Sequence, residues 1–227
     1  VKKANNDGYI YIHDLSSLSY YCAGWDLKYF LNNQFVAKNG VTSNPPQHLD
    51  VALDQLINWI FGLSGEFAGA MATASFDILL AGYIKKDNLS YEQVYQSLEG
   101  FIYKINFPGR IAMQLPFFNL TMDLKPPKHL KDQYVMLGGE ILNFTYGELQ
   151  KEINMINKAF AEVMTKGDAA GKIFSFPIPT YNITEDFDWD GIPQEVWEMN
   201  ARLGCGYFAN FLHGDMSADD AMSMCCR

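Results

Sequence analysis

Basic residues are scarce: 17 Lys and Arg face 26 Asp and Glu, a formal charge of -9 over 227 residues. Such a surface repels a polyphosphate backbone and excludes nucleic-acid binding through a broad basic face. A helix N-terminus with one or two cations would still hold a small phosphate. Cysteine is sparse too, with only Cys22, Cys205, Cys225 and Cys226. That density is far below that of a disulfide-stapled secreted domain, so reduced thiols are expected. There is no Cys-x-x-Cys, no His-x-x-x-His and no Cys/His cluster, so zinc is not expected in this segment. Long apolar runs are missing as well. The most apolar stretch, residues 56–84, is interrupted by Glu66, Asp77 and four glycines, which excludes a membrane span. The polar opening Val1-Lys2-Lys3-Ala4-Asn5-Asn6-Asp7 is no secretory signal, and a cytoplasmic location is expected. No repeat of fixed period and no low-complexity tract occurs.

What is present is apolar: 48% hydrophobic and 15% aromatic residues, enough for a sizeable core and read as one domain. Residues 8–14, Gly-Tyr-Ile-Tyr-Ile-His-Asp, alternate apolar and aromatic side chains and predict a short strand before Cys22. After the break at Pro45-Pro46, the spacing of Leu49, Ala52, Leu53, Leu56, Ile57 and Ile60 predicts a helix over 48–63. The Ala- and Gly-rich stretch 65–84 predicts a second helix, closing a helical hairpin and packed tightly against helices or a second subunit. Ser90 caps a third helix over 91–103. Thr145 with Glu148 forms a capping box for a fourth, over 145–164, that stops near Gly167. Within 107–123, after Pro108-Gly109, the apolar run 111–122 predicts a strand covered on both faces. Residues 173–183 predict a strand that two prolines end early. Residues 186–191 read as a turn, 194–203 as a short helix, 206–212 as a strand and 217–222 as a helical turn or loop. Strands alternating with helices indicate an α/β domain with a parallel sheet.

The chemistry concentrates in thiols. Adjacent cysteines do not readily pair with each other, so Cys225-Cys226 reads either as two small buried hydrophobes or as a functional pair. Cys22 could meet Cys225 in space and pass reducing equivalents to a substrate between them. His13-Asp14 would point to opposite faces of a strand, which favours a structural role. Asp186, Asp188 and Asp190 lack the remaining positions of a calcium loop and read as a solvated turn. His213, Gly214 and Asp215 read as a further polar turn. A chain that begins without Met and stops on a reactive-looking cysteine pair reads as a piece of something longer.

In this order the segments resemble the large subunit of anaerobic, class III ribonucleotide reductases, which are glycyl-radical enzymes. Residues 9–15 with Cys22-Ala23-Gly24-Trp25-Asp26-Leu27 resemble the family's opening strand and first catalytic cysteine. Residues 45–54, 66–70 and Ser75-Phe76-Asp77 resemble its long helical segment. Residues 116–121 and 176–184 resemble its barrel strands. Residues 206–210 and 223–227 resemble the approach to its finger loop. The resemblance implies the first half of a ten-stranded α/β barrel, a five-stranded parallel half-sheet with crossover helices spanning 1–227 and ending at the finger loop. Further implied are Cys225 as the thiyl site, following apolar Met224, with Cys226 as the fallback and Cys22 as the reducing partner. The substrate would be a ribonucleoside triphosphate, and formate or a thioredoxin-type system the reductant. ATP and deoxynucleotides would be effectors, bound near the helices of 48–85 in a homodimer. The glycyl radical, installed by an S-adenosylmethionine/iron-sulfur activase, the zinc-binding cysteines and any ATP cone would lie outside this chain. Departures occur at 107–115, where a Gly- and Gln-rich stretch is expected, and at Cys205-Gly206, where Pro is expected before Tyr-Phe. Alternatives are a formate acetyltransferase-type glycyl-radical enzyme and a non-catalytic nucleotide-binding or assembly module.

Overall fold

In the computed structural model, residues 1–12, 15, 20–67, 69–109 and 114–212 are described. The expectations for His13-Asp14, Ile111 to Met113, 213–215, 217–222, Cys225 and Cys226 lie outside them.

Five strands form one parallel sheet in the order β1-β4-β5-β8-β9, so sheet order follows chain order. They are β1 (Ala23–Trp25), β4 (Met71–Thr73), β5 (Phe118–Met122), β8 (Ile178–Ile183) and β9 (Tyr207–Asn210). The connections are the crossovers that parallel pairing requires. Helices α2 (Leu27–Asn32) and α3 (Leu49–Leu63) join β1 to β4, with a small hairpin of β2 (Phe35–Val36) and β3 (Thr42–Ser43) between them. Helices α4 (Phe76–Asp87) and α5 (Tyr91–Ile105) join β4 to β5. A short helix α6 (Lys128–Lys131), the hairpin β6 (Tyr134–Leu137) and β7 (Glu140–Thr145), and helix α7 (Gln150–Lys166) join β5 to β8. Helix α8 (Gln194–Leu203) closes the set, and α1 (Lys2–Asn6) stands near the N-terminus.

Local chemistry accounts for the long helices. Ser90 and Gln93 exchange both hydrogen bonds of a capping box at the start of α5. Thr145 and Glu148 do the same around a single 3-10 turn that precedes α7, which then ends at Gly167 with φ +70°. Helix α4 is buried on every side from Phe76 to Ile84 because it lies beneath other elements. A Cβ on its Gly82 would come within 2.8 Å of Val135 and Leu137, so glycine admits β6 to its surface.

Three expectations are corrected. Residues 8–10 form a turn and bend after α1 and residues 11 and 12 are irregular, so 8–12 is not a strand; the edge strand is β1, directly after Cys22. The stretch 65–84 is not one helix. It holds a turn, the buried strand β4 and only then α4, so no helical hairpin forms; α4 packs against α7 and α3 as well as, at Gly82, against β6. The run 173–183 is irregular first and a strand second. Pro179 is tolerated because it pairs with β5 at Leu120, while β9 joins β8 only from Thr180 onward.

Side chains alternate across the sheet. In β5, Phe118, Leu120 and Met122 enter the helix-packed core, whereas Asn119 and Thr121 occupy the opposite face with Thr180 and Asn182 of β8. All of these residues are buried. The expected two-sided burial of β5 holds, but one of its faces is polar.

Candidate functional site

Cys22 immediately precedes β1, at the end of the sheet where the strands begin. Its Sγ accepts a hydrogen bond from the Ala70 amide at 3.3 Å, and the thiol is half-buried. Three further backbone bonds fix this edge: Gly69 N–H donates to Tyr21 O at 2.6 Å, Ala23 N–H to Ala70 O at 3.0 Å, and Met71 N–H to Phe117 O at 2.9 Å. The fit admits no side chain at position 69, because a Cβ there would lie 2.8 Å from Cys22 Sγ and 2.7 Å from Tyr21 O. Gly69 therefore seats the thiol.

On its other side Gly69 lines a cleft of about 650 Å³, together with Phe67, Met71, Gln114, Phe117 and Phe176. Phe117 and Phe176 contact each other with centroids 5.2 Å apart, and Trp25 packs edge-on against Phe67 at 5.7 Å. Aromatic walls, glycines and a few polar groups suit a planar, partly polar ligand. The residues around Gln114 belong to the stretch that departs from the resembled pattern.

Cys205 sits at the same end of the sheet but on the opposite edge, two residues before β9. Four strand spacings, on the order of 19 Å in a flat sheet, separate it from the Cys22 edge. Burial pushes the Cys205 thiol up, which disfavours the thiolate. Sequence reasoning brought Cys22 together with Cys225; the described residues contain only the first of these. Among the described residues no group of three or more His, Cys, Asp and Glu could hold a metal ion. The turn at 186–191 is tied by Lys125, 3.2 Å from Asp188, and by the Gly191 amide, with Lys125 the first cause of the lowered Asp188 carboxyl.

At the far end of the strands the sequence reading missed a polar cluster. Both oxygens of buried Asp77 are occupied: Oδ1 accepts from the amides of Ile78 and Asp123, each at 3.0 Å, and Oδ2 from the Leu124 amide at 2.8 Å and Asn157 Nδ2 at 2.9 Å. Asp123 accepts from Asn182 Nδ2 at 2.6 Å, and on the same face Asn119 donates to Thr180 at 2.8 Å. The available signal was the alternation of Asn119, Thr121 and Asp123 with apolar residues.

The family model for anaerobic ribonucleoside-triphosphate reductase matches residues 1–227. The chain belongs to this family. Solved anaerobic ribonucleotide reductases from Thermotoga maritima share the fold. One in complex with dATP and CTP has a TM-score of 0.71 at 20% identity, covering 98% of this chain and 38% of that one. A second, with dATP bound in the specificity site, has a TM-score of 0.70 at 18% identity, covering 92% and 37%. A third, with glycerol in the active site, has 0.71 at 18%, covering 98% and 40%. The chain thus spans less than half the length of these reductases. No curated protein matches the sequence. The five parallel strands with helical crossovers are the α/β architecture of the matching part of those enzymes. No helix among the described residues is long and apolar enough to cross a membrane.

Proposed function

We propose that this chain is the N-terminal half of the catalytic barrel of an anaerobic ribonucleoside-triphosphate reductase, and that Cys22 is one of its reacting thiols. The observation that carries the reading is the seat of Cys22: a half-buried thiol fixed at the start of an edge strand, separated only by a glycine from an aromatic-walled cleft. Family membership over the full chain turns that position into chemistry. It also leaves the formate acetyltransferase-type alternative without support.

In this reading the cleft receives a ribonucleoside triphosphate, the class to which CTP in the Thermotoga complex belongs. Cys225, with Cys226 as the alternative, takes the 3'-hydrogen as a thiyl radical, and the 2'-hydroxyl departs as water. Cys22 supplies hydrogen to the substrate, and an external reductant, formate or a thioredoxin-type dithiol, restores the balance of two electrons and two protons. A glycyl radical carried elsewhere in the full-length protein, and installed by an S-adenosylmethionine/iron-sulfur activase, supplies the oxidising equivalent. A buried setting protects such a radical from solvent. ATP and deoxynucleotide effectors bind near the helices of 48–85, in a homodimer, and the enzyme works in the cytoplasm.

The test is made on the full-length, activated protein. Cys22→Ala and Cys225→Ala should each abolish deoxynucleotide formation while leaving nucleotide binding largely intact. Full turnover by either variant refutes the role given to that residue.

A further inference from the structure

The Asp77–Asp123 cluster contains more acceptors than donors. The four N–H groups on Asp77 occupy both of its oxygens and favour its ionised form against the burial that pushes its carboxyl up. Asp123 is placed differently. Asp123 accepts from Asn182 and from the Ser75 hydroxyl, yet its Oδ2 is enclosed without a partner, as are Asn157 Oδ1 and Asn182 Oδ1. Asn157 and Asn182 are 1% and 5% exposed, and the amide nitrogen of each is bound to one of the two carboxyls. Of these three enclosed oxygens only the Asp123 carboxyl oxygen can carry a proton.

We propose that one proton is a structural ligand of this cluster, carried by Asp123 as a neutral carboxylic acid beside the Asp77 carboxylate, and that it locks β5, β8, α4 and α7 together. The proton removes the repulsion between two enclosed carboxylates. The backbone is committed to the same arrangement. Ser75 and Leu124, neither of them glycine, flank the pair with φ of +52° and +64°, conformations that persist only where the surroundings enforce them. The Leu124 carbonyl is also held, by Gln150 of α7 at 2.9 Å.

The titratable groups bearing on Asp123 are Asp77 from α4 and His129 from α6, and the Asp77 charge in turn bears on Tyr181 of β8. Burial first, and the Asp77 charge second, push the Asp123 carboxyl up to about 7. A folded-state value above the unfolded one means that the proton's contribution is complete below the ordinary carboxylate range. It declines as pH rises and is gone once pH has passed through about 7.

Two measurements on the full-length protein test this. The first is amide hydrogen exchange at Asp123 and Leu124, corrected for intrinsic rates. Protection should fall by about tenfold per pH unit from pH 5 toward 7 and then level off, whereas Asp123→Asn, an isostere of the neutral acid, should give a flat profile. The second needs no variant: infrared spectra should contain a protonated-carboxyl band at pH 6 that disappears by pH 8. No such band, or an unchanged slope in Asp123→Asn, overturns the proposal. So does protection that rises with sodium, potassium or magnesium at fixed pH, which would make the ligand a metal cation.

Discussion

The two ends of the five-stranded sheet are built on opposite plans. Where the strands begin, a half-buried thiol sits against a glycine beside a cleft of about 650 Å³. Where β5 and β8 end, Asp77, Asp123, Asn157 and Asn182 close a hydrogen-bonded cluster with enclosed oxygens. The open end leaves a reactive group and space beside it. The closed end spends its polar groups on each other, fixing four elements at once. A parallel sheet that presents a thiol reproducibly gains from a lock elsewhere in the sheet, because small displacements of a reacting group are costly.

That contrast can be broken from either end. The largest effect is expected at the closed end: Asp77→Ala strands four N–H donors, two of them at the Asp123-Leu124 turn, and should cost roughly 3 kcal/mol or more. A shift of the denaturant midpoint measures it, and a change within the error of a surface substitution would remove the lock from the comparison. At the open end, Gly69→Ala places a Cβ 2.8 Å from Cys22 Sγ and 2.7 Å from Tyr21 O. Displacing the thiol should lower deoxynucleotide formation about 100-fold in the full-length enzyme, with a smaller loss of stability than Asp77→Ala. Unchanged turnover would show that the seat of Cys22 is not critical. The smallest effect belongs to Tyr181, buried between the ends, whose hydroxyl has no hydrogen-bond partner and whose ionisation burial pushes far upward. Tyr181→Phe removes an unsatisfied polar group and should be neutral or stabilising by up to about 1 kcal/mol. A clear destabilisation would mean that the hydroxyl has a role in the cluster next to it.

The legible parts of the fold were those with a long enough period or a local cap. Helices α3, α5 and α8 fall within two residues of the predicted ranges, because apolar spacing and the Ser90 box are written into consecutive residues. Helix α7 was legible through its Thr145–Glu148 box, although a 3-10 turn intervenes before the α-helix starts. Strands β1 and β4 were not legible. Three residues are too few to establish a period of two, and Met71-Ala72-Thr73 is embedded in an Ala- and Gly-rich stretch that reads equally well as buried helix. At the candidate site, Cys22 was legible as a residue and through the motif around it. Gly69 was not singled out, since its requirement comes from the chain 47 residues earlier.

By itself the sequence determined the chemistry available: few thiols, no metal-ligand spacing, an acidic surface, an α/β alternation and a family pattern over the whole chain. Only the tertiary structure decided which groups meet. The parallel crossovers bring Tyr21 and Cys22 against Gly69 and Ala70, and Asp77 against residues 46 and 47 positions further on. Local propensity carries no information at those separations. Strand register and the donor-acceptor balance of the packed interior set them, and both exist only once the sheet has formed.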